Sequence, residues 1–391
     1  MAGSVVGPSQ KPQFSAQPEV SIPTYPKALA KRVAHLLNVS IENVHIVGVG
    51  KDKIVAKVIG ENGVFQVPQK SFLGQCRKNI QKEVDFAQTI VAANVDTTNL
   101  AVDVKEAKPR RGWQMSEAEG NLEKKIRASH SWDACKSYVK GFVSGIKNLH
   151  AAGCIHGDVK LENILLFLKN IVKLADFGKG TKVSGDAPAG IYSGNTRYGP
   201  PEGVKSKSGD VYGAGIALIR MVEEQFLNGK TSLIPVHETI RKIPPADKER
   251  RGIEKYILDS PEFSRSYEQK GTILGKIKDF QARLRTQSGI DNKTLGFEVD
   301  AMNRYIKVLG SQLDSKIAPE KARTLELLLR AMTAIDPQNR PSMELVEHVL
   351  NFVMGDKPAS ELPPHFQLLI TTEAPVQALK GALEAIFGAN K

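Results

Sequence analysis

The 391-residue sequence predicts an α+β protein of two lobes, a small β-rich one followed by a larger helical one. Three observations predict it. Between Val44 and Lys70, short β-branched runs are punctuated by glycine, as in strands joined by turns. After Gly120, apolar residues recur at helical spacing. Between the long helical stretches lies "NILLFLKNIVKLADF", two short apolar runs separated by a turn, the pattern of a β-hairpin. A cleft between two such lobes is a common place for a ligand.

The elements follow in order. Residues 1–25 are rich in Pro, Ser and Gln without a period, which predicts a disordered leader. Pro26 opens "PKALAKRVAHLL", where Leu29, Val33, Leu36 and Leu37 fall on one helical stripe and proline suits the first turn. Residues 71–93 read as helix, and "NLAVDV" (99–104) and "GWQMSE" (112–117) as strands. The small lobe with its preceding helix is therefore drawn at 26–120 and the large lobe at 121–355. In "SWDACKSYVKGFVSGIKNLH" (131–150), Cys135, Tyr138, Val139, Phe142, Val143, Ile146 and Leu149 form a core-facing stripe. Residues 225–325 are charged and helical in pattern, which predicts an inserted helical subdomain. The tail, 356–391, ends in an amphipathic helix over 372–391. No internal repeat is visible.

Composition excludes several classes. The net charge of +12 would draw the protein to acidic partners or, weakly, to anionic surfaces. No compact Lys/Arg block with interleaved aromatics occurs, which argues against a nucleic-acid site. Three cysteines, Cys76, Cys135 and Cys154, without C-x-x-C argue against a disulfide framework or zinc site and fit a reducing compartment. No apolar run approaches the roughly 20 residues that span a bilayer, and the start lacks the apolar stretch of a cleaved signal. Ala2 breaks the myristoylation pattern.

The chemistry concentrates in "HGDVKLEN", followed thirteen residues after its Asn163 by Asp176 in "LADFG". Further on come "GPPE" with Glu202, "GDVYGAGI" with Asp210 and "AIDPQNRPS" with Arg340. This series resembles the catalytic loop, metal-binding motif and activation-segment end of eukaryotic-type protein kinases. His156, Asp158, Lys160 and Asn163 fit H-R-D-x-K-x-x-N, and Gly157 stands in place of its Arg. The resemblance implies that Asp158 orients the attacking hydroxyl and accepts its proton, while Lys160 neutralises charge on the transferred phosphoryl group. It also implies that Asn163 and Asp176 ligate Mg²⁺ and that ATP is the donor. Glu202, Asp210 and Arg340 are implied as scaffold residues, the last pairing with Glu202.

The small lobe departs further from the family pattern. "VGVGKDKIV" resembles G-x-G-x-x-G-x-V through Gly48, Gly50 and Val55, with Lys53 at the third glycine position, where it could itself meet a phosphate. For the phosphate-anchoring lysine there are two candidates. Lys70 in "VPQK" suits the strand count, although Pro68 would cost a ladder hydrogen bond. Lys57 in "IVAKV" looks more like V-A-I-K but follows the glycines closely. Lys70 is favoured, with Glu83 on the next helix as its partner. "WQMSEAEGNL" resembles the strand and hinge that hold adenine, with Met115 as gatekeeper and Glu117 and Ala118 in the hinge.

The resemblance spans roughly residues 44–350 and implies a Ser/Thr protein kinase, since Lys160 follows the aspartate by two. A protein would be the substrate, and the 225–325 insertion would dock a further protein. The absent Arg implies activity without a phosphorylated activation segment, although Thr181, Ser184, Tyr192, Ser193 and Thr196 are available. The alternatives are a pseudokinase scaffold that binds nucleotide, and a transferase that passes on the nucleotide itself. The leader, divergent small lobe and insertion also resemble, loosely, kinases that bacteria deliver into host cells. The expected compartment is cytoplasmic, or the host cytosol for such an effector.

Overall fold

The computed structural model describes residues 25–227 apart from 51, 70–72, 109–111, 129–131, 196–197 and 201. It also describes residues 317–355 apart from 335, together with Ile306 and Leu313. The leader, most of the predicted insertion and the tail helix lie outside the described residues.

The arrangement is bilobal. Helix α1 (Lys27–Leu37) comes first, with Pro26 as its N-cap, and Asn38 closes it in the left-handed conformation with its N–H on the Ala34 carbonyl. The small-lobe sheet contains β1 (Val44–Val49), β2 (Lys53–Val58), β3 (Val64–Pro68), β4 (Lys105–Lys108) and β5 (Gly112–Met115), in the antiparallel order β1-β2-β3-β5-β4. Val33, Ala34 and Leu37 of α1 cover one face of this sheet, over Ile54, Ala56, Val58, Phe65 and Val67. Helix α2 (Leu73–Ala92) covers the other, where Ile80 and Val84 meet Trp113. Alternation along β2 sends Ile54, Ala56 and Val58 inward and leaves Lys57 exposed.

The predicted strand at 99–104 is displaced. The chain pairs in β4 only from Lys105, because the backbone before it is already engaged by the large lobe. Ala101 donates to the Leu174 carbonyl at 2.8 Å, and Leu174 donates to that of Asn99 at 2.9 Å. An apolar run can satisfy its backbone outside its own sheet, and alternation alone does not distinguish the two cases.

In the large lobe, β6 (Gly120–Asn121) and α3 (Leu122–Ala128) lead into α4 (Trp132–Ala151). The stripe predicted on α4 is buried throughout. After β7 (Cys154–Ile155), β8 (Ile164–Phe167) and β9 (Ile171–Leu174) form the predicted hairpin, with Lys169 and Asn170 at positive φ in its turn. β10 (Thr181–Lys182) pairs with β7, and β11 (Gly190–Ile191) with β12 (Val204–Lys205). Helices α5 (Lys207–Leu227), α6 (Pro319–Met332) and α7 (Met343–Met354) complete the core with α4. No helix among the described residues is long and apolar enough to cross a membrane.

Candidate active site

The hairpin β8–β9 and the loop before it carry the polar side chains of the cleft. Asp158 Oδ2 accepts from Lys160 Nζ at 3.0 Å, and its Oδ1 accepts from the Asn195 N–H at 2.6 Å. Asn163 Nδ2 donates to the Asp158 carbonyl at 2.9 Å, while the Asn163 carbonyl accepts from the Ala175 N–H at 2.8 Å. These bonds lock the loop to the strand that delivers Asp176. Asp176 itself is held at φ +65°, in the left-handed region.

The loop is anchored from below. Asp210, near the start of α5, accepts from the His156 N–H at 2.6 Å and the Gly157 N–H at 2.9 Å. His156 Nε2 lies 2.9 Å from the Ala175 carbonyl, and the Asp158 N–H lies 3.2 Å from Nδ1. A carbonyl can only accept and an amide can only donate, so His156 is the neutral tautomer with its proton on Nε2. Its ring also packs 5.5 Å from that of Phe177.

A cation from the small lobe closes the site. Lys53 Nζ lies 2.7 and 3.0 Å from the two Glu83 carboxylate oxygens and 3.5 Å from Asp176 Oδ1. Burial would lower the Lys53 pKa, but Glu83 and Asp176 outweigh it and raise the ammonium above its ordinary value. Burial pushes the Glu83 carboxyl up; Lys53 draws it back and Asp176 pushes it up again. For Asp176 burial also acts upward, yet the lysine ammonium groups, Lys53 foremost and Lys160 after it, prevail and hold it below the usual carboxylate range. Its side chain is 46% exposed, which weakens the burial penalty and leaves the cations in control.

The cation that meets Glu83 among the described residues is Lys53. Lys70, the partner expected for Glu83, lies outside the described residues. β3, from which the family pattern expects the lysine, reads VFQVP and ends at Pro68, which pairs with Lys53. Its one polar side chain, Gln66, is buried and donates from Nε2 to Met115 Sδ at 2.8 Å. The rival Lys57 shares the β2 face of Lys53 and Val55, but four residues further along it is exposed and meets Glu117 in a surface pair at 2.6 Å. The sequence marks Lys53 as a charge at a glycine position that could meet a phosphate, but its pairing with Glu83 is not visible there.

Gly48 lies at a register break in β1, and the Gly50 N–H donates to the Lys53 carbonyl at 2.8 Å, so the turn between β1 and β2 aims Lys53 inward. Val64, Met115 and Ala175 form a buried apolar cluster across the cleft, with Ala101 beside them and Val55 and Leu165 half-buried against it. Glu117 and half-buried Ala118 follow β5 at the cleft mouth. The Asn163 side-chain amide uses its N–H on the Asp158 carbonyl, so its oxygen, like the Asp176 carboxylate, can serve as a metal ligand. Two hard oxygen donors fit a Mg²⁺ ion that takes its remaining ligands from phosphates and water. Among the described residues there is no cluster of three or more His, Cys, Asp or Glu suited to a protein-only metal site.

The bilobal fold and this cleft define a protein-kinase-like class, and comparison with known proteins narrows it. The protein kinase domain family matches residues 43–351, and the chain belongs to that family. Over 96 residues it is 38% identical to Mitogen-activated protein kinase kinase kinase 20 of Arabidopsis thaliana, covering 22% of this chain and 27% of that protein. It is 34% identical over 100 residues to Serine/threonine-protein kinase PSK1 of Saccharomyces cerevisiae, covering 24% and 7%. Over 161 residues it is 30% identical to Hormonally up-regulated neu tumor-associated kinase of Mus musculus, covering 37% and 21%. The chain thus spans 27% or less of the length of these curated relatives.

Proposed function

We propose that the chain is a serine/threonine protein kinase that passes the γ-phosphoryl group of ATP to a protein hydroxyl. The observation that carries this reading is the convergence of Lys53, Glu83, Asp158, Lys160, Asn163 and Asp176 on one cleft. Phosphoryl transfer needs positioning and charge neutralisation more than covalent help. The apolar cluster of Val55, Val64, Met115, Leu165 and Ala175 offers adenine a slot, with Glu117 and Ala118 at its edge. Gly48 and Gly50 let backbone approach the phosphates. Lys53, oriented by Glu83, reaches the phosphates from β2. Asn163 and Asp176 would hold Mg²⁺, which when bound neutralises phosphate charge. Asp158 takes the proton of the incoming hydroxyl, and Lys160, on its other oxygen, faces the transferred group.

Gly157 offers no cation to a phosphorylated activation segment, so activity does not depend on one. The test uses purified full chain with labelled ATP, Mg²⁺ and a generic protein substrate. Transfer should survive phosphatase treatment of the enzyme and fall about 10²- to 10⁴-fold in Asp158→Asn. Absence of transfer by wild type, with Asp176→Ala binding nucleotide as wild type does, would favour a scaffold instead. Mass spectrometry of the product separates phosphoryl from nucleotidyl transfer.

A further inference from the structure

The space beside Gly157 is filled, and a cation fills it. Gly157 has φ +71°, and a Cβ there would lie 3.0 Å from the Lys179 carbonyl oxygen. It would also stand 3.4 and 3.5 Å from Cε and Cδ of Lys205. Lys205 belongs to β12, downstream of the activation segment, and its stem lies along the glycine. Its Nζ donates to the Lys179 carbonyl at 2.8 Å, three residues after Asp176.

The same residue holds the segment a second time. Its backbone carbonyl accepts from the Ala189 N–H at 2.8 Å, and it pairs with Gly190 where β11 meets β12. From there the chain runs through Tyr192, whose N–H donates to the Gly203 carbonyl at 2.8 Å and whose hydroxyl donates to the Asn195 carbonyl at 3.1 Å. The Asn195 N–H ends on Asp158 Oδ1. One lysine therefore touches the start and middle of a segment whose end touches the proposed base. Burial, and Lys179 after it, press the Lys205 ammonium below the ordinary lysine value, while Asp210 and Asp158 act in the opposite direction.

We infer that Lys205 is a positioning residue for phosphoryl transfer, a built-in cation that orders the activation segment from the place left open by Gly157. It needs no phosphate because its partner is a backbone carbonyl. The charge absent from the catalytic loop thus arrives from β12. The inference rests on the kinase reading and explains how that reading dispenses with a phosphorylated segment.

The full chain is compared with Lys205→Met and Lys205→Arg. Lys205→Met should lower kcat about 10²-fold, the cost of slight misplacement of reacting groups. KM for ATP and the melting temperature should stay close to wild type, since neither the nucleotide slot nor the core is touched. Lys205→Arg, which keeps a donor at that reach, should recover most of kcat. Amide hydrogen exchange supplies an arm independent of activity. In Lys205→Met, residues 177–195 should exchange about 10-fold faster while α5 keeps its protection. Exchange and kcat equal to wild type in Lys205→Met would overturn the inference, as would a kcat loss matched by general unfolding. Silent wild type with accelerated exchange in the variant would sink the kinase reading and retain the tether.

Discussion

Lys53 reaches Glu83 from β2, one strand earlier than the family pattern expects, and this changes which substitution should matter. Glu83 is buried, and its two oxygens share one ammonium. Lys53→Met should therefore lower kcat/KM about 10²- to 10³-fold, the range for losing one preorganised donor to a charged group. Lys57→Met removes only a surface pair with Glu117, and such pairs are worth about 0–1 kcal/mol. Steady-state kinetics of the two variants decide the matter: comparable losses would count against Lys53 as the phosphate anchor. The contrast also shows where residues were legible. Asp158, Lys160 and Asn163 lie within one local pattern, and Asp176 stands at a fixed hairpin's length from them. The lysine's place depends on strand register, which pairs Lys53 with Pro68 across a turn, and no local pattern encodes that pairing.

At the scale of elements, helix α4 was readable because its buried stripe keeps one period over about four turns. The strand at 99–104 was misplaced because its apolar residues serve β9 rather than β4. The two features meet at Gly145. A Cβ on this glycine would lie 2.6 Å from the Asn99 carbonyl oxygen, closer than real contacts allow. The bare backbone lets α4 press against the segment that crosses from the small lobe. Gly145→Val should destabilise by about 1–3 kcal/mol, the usual cost of overpacking. Thermal unfolding measures this; an unchanged melting temperature would mean that α4 and residues 99–101 are not in such close contact. Gly141 tells the same story, since its Cβ would fall 2.3 Å from Val172 Cγ2.

Across the whole molecule, residues distant in sequence meet without exposure to water. Arg340 holds both Glu202 oxygens, at 2.7 and 2.8 Å, across 138 residues, and stacks 4.8 Å over Tyr212. Arg340→Met leaves a buried carboxylate without its guanidinium and should cost about 3–5 kcal/mol, read from denaturant unfolding. The motifs supplied this pair despite the long intervening segment, because each half is anchored by its own local sequence. The thiols offer a second test at this scale. All three cysteines are free and buried, and burial pushes the Cys135 thiol up to about 12. Iodoacetamide at pH 8 should leave Cys135 and Cys154 unmodified in the folded protein and label them after denaturation. Equal rates in both states would mean that the core around α4 is open.

Helix α1 has a consequence for where the folding unit begins. The family match starts at residue 43, yet α1 ends at Leu37 and forms one wall of the small lobe. Each fully buried Val or Leu of that wall contributes roughly 1.5–3 kcal/mol at most. A fragment cut at the family boundary would turn Ile54, Ala56 and Val67 toward water, on the sheet that presents Lys53. The smallest autonomous catalytic unit is therefore larger than the homologous one, and the homology boundary would be a poor place to truncate it.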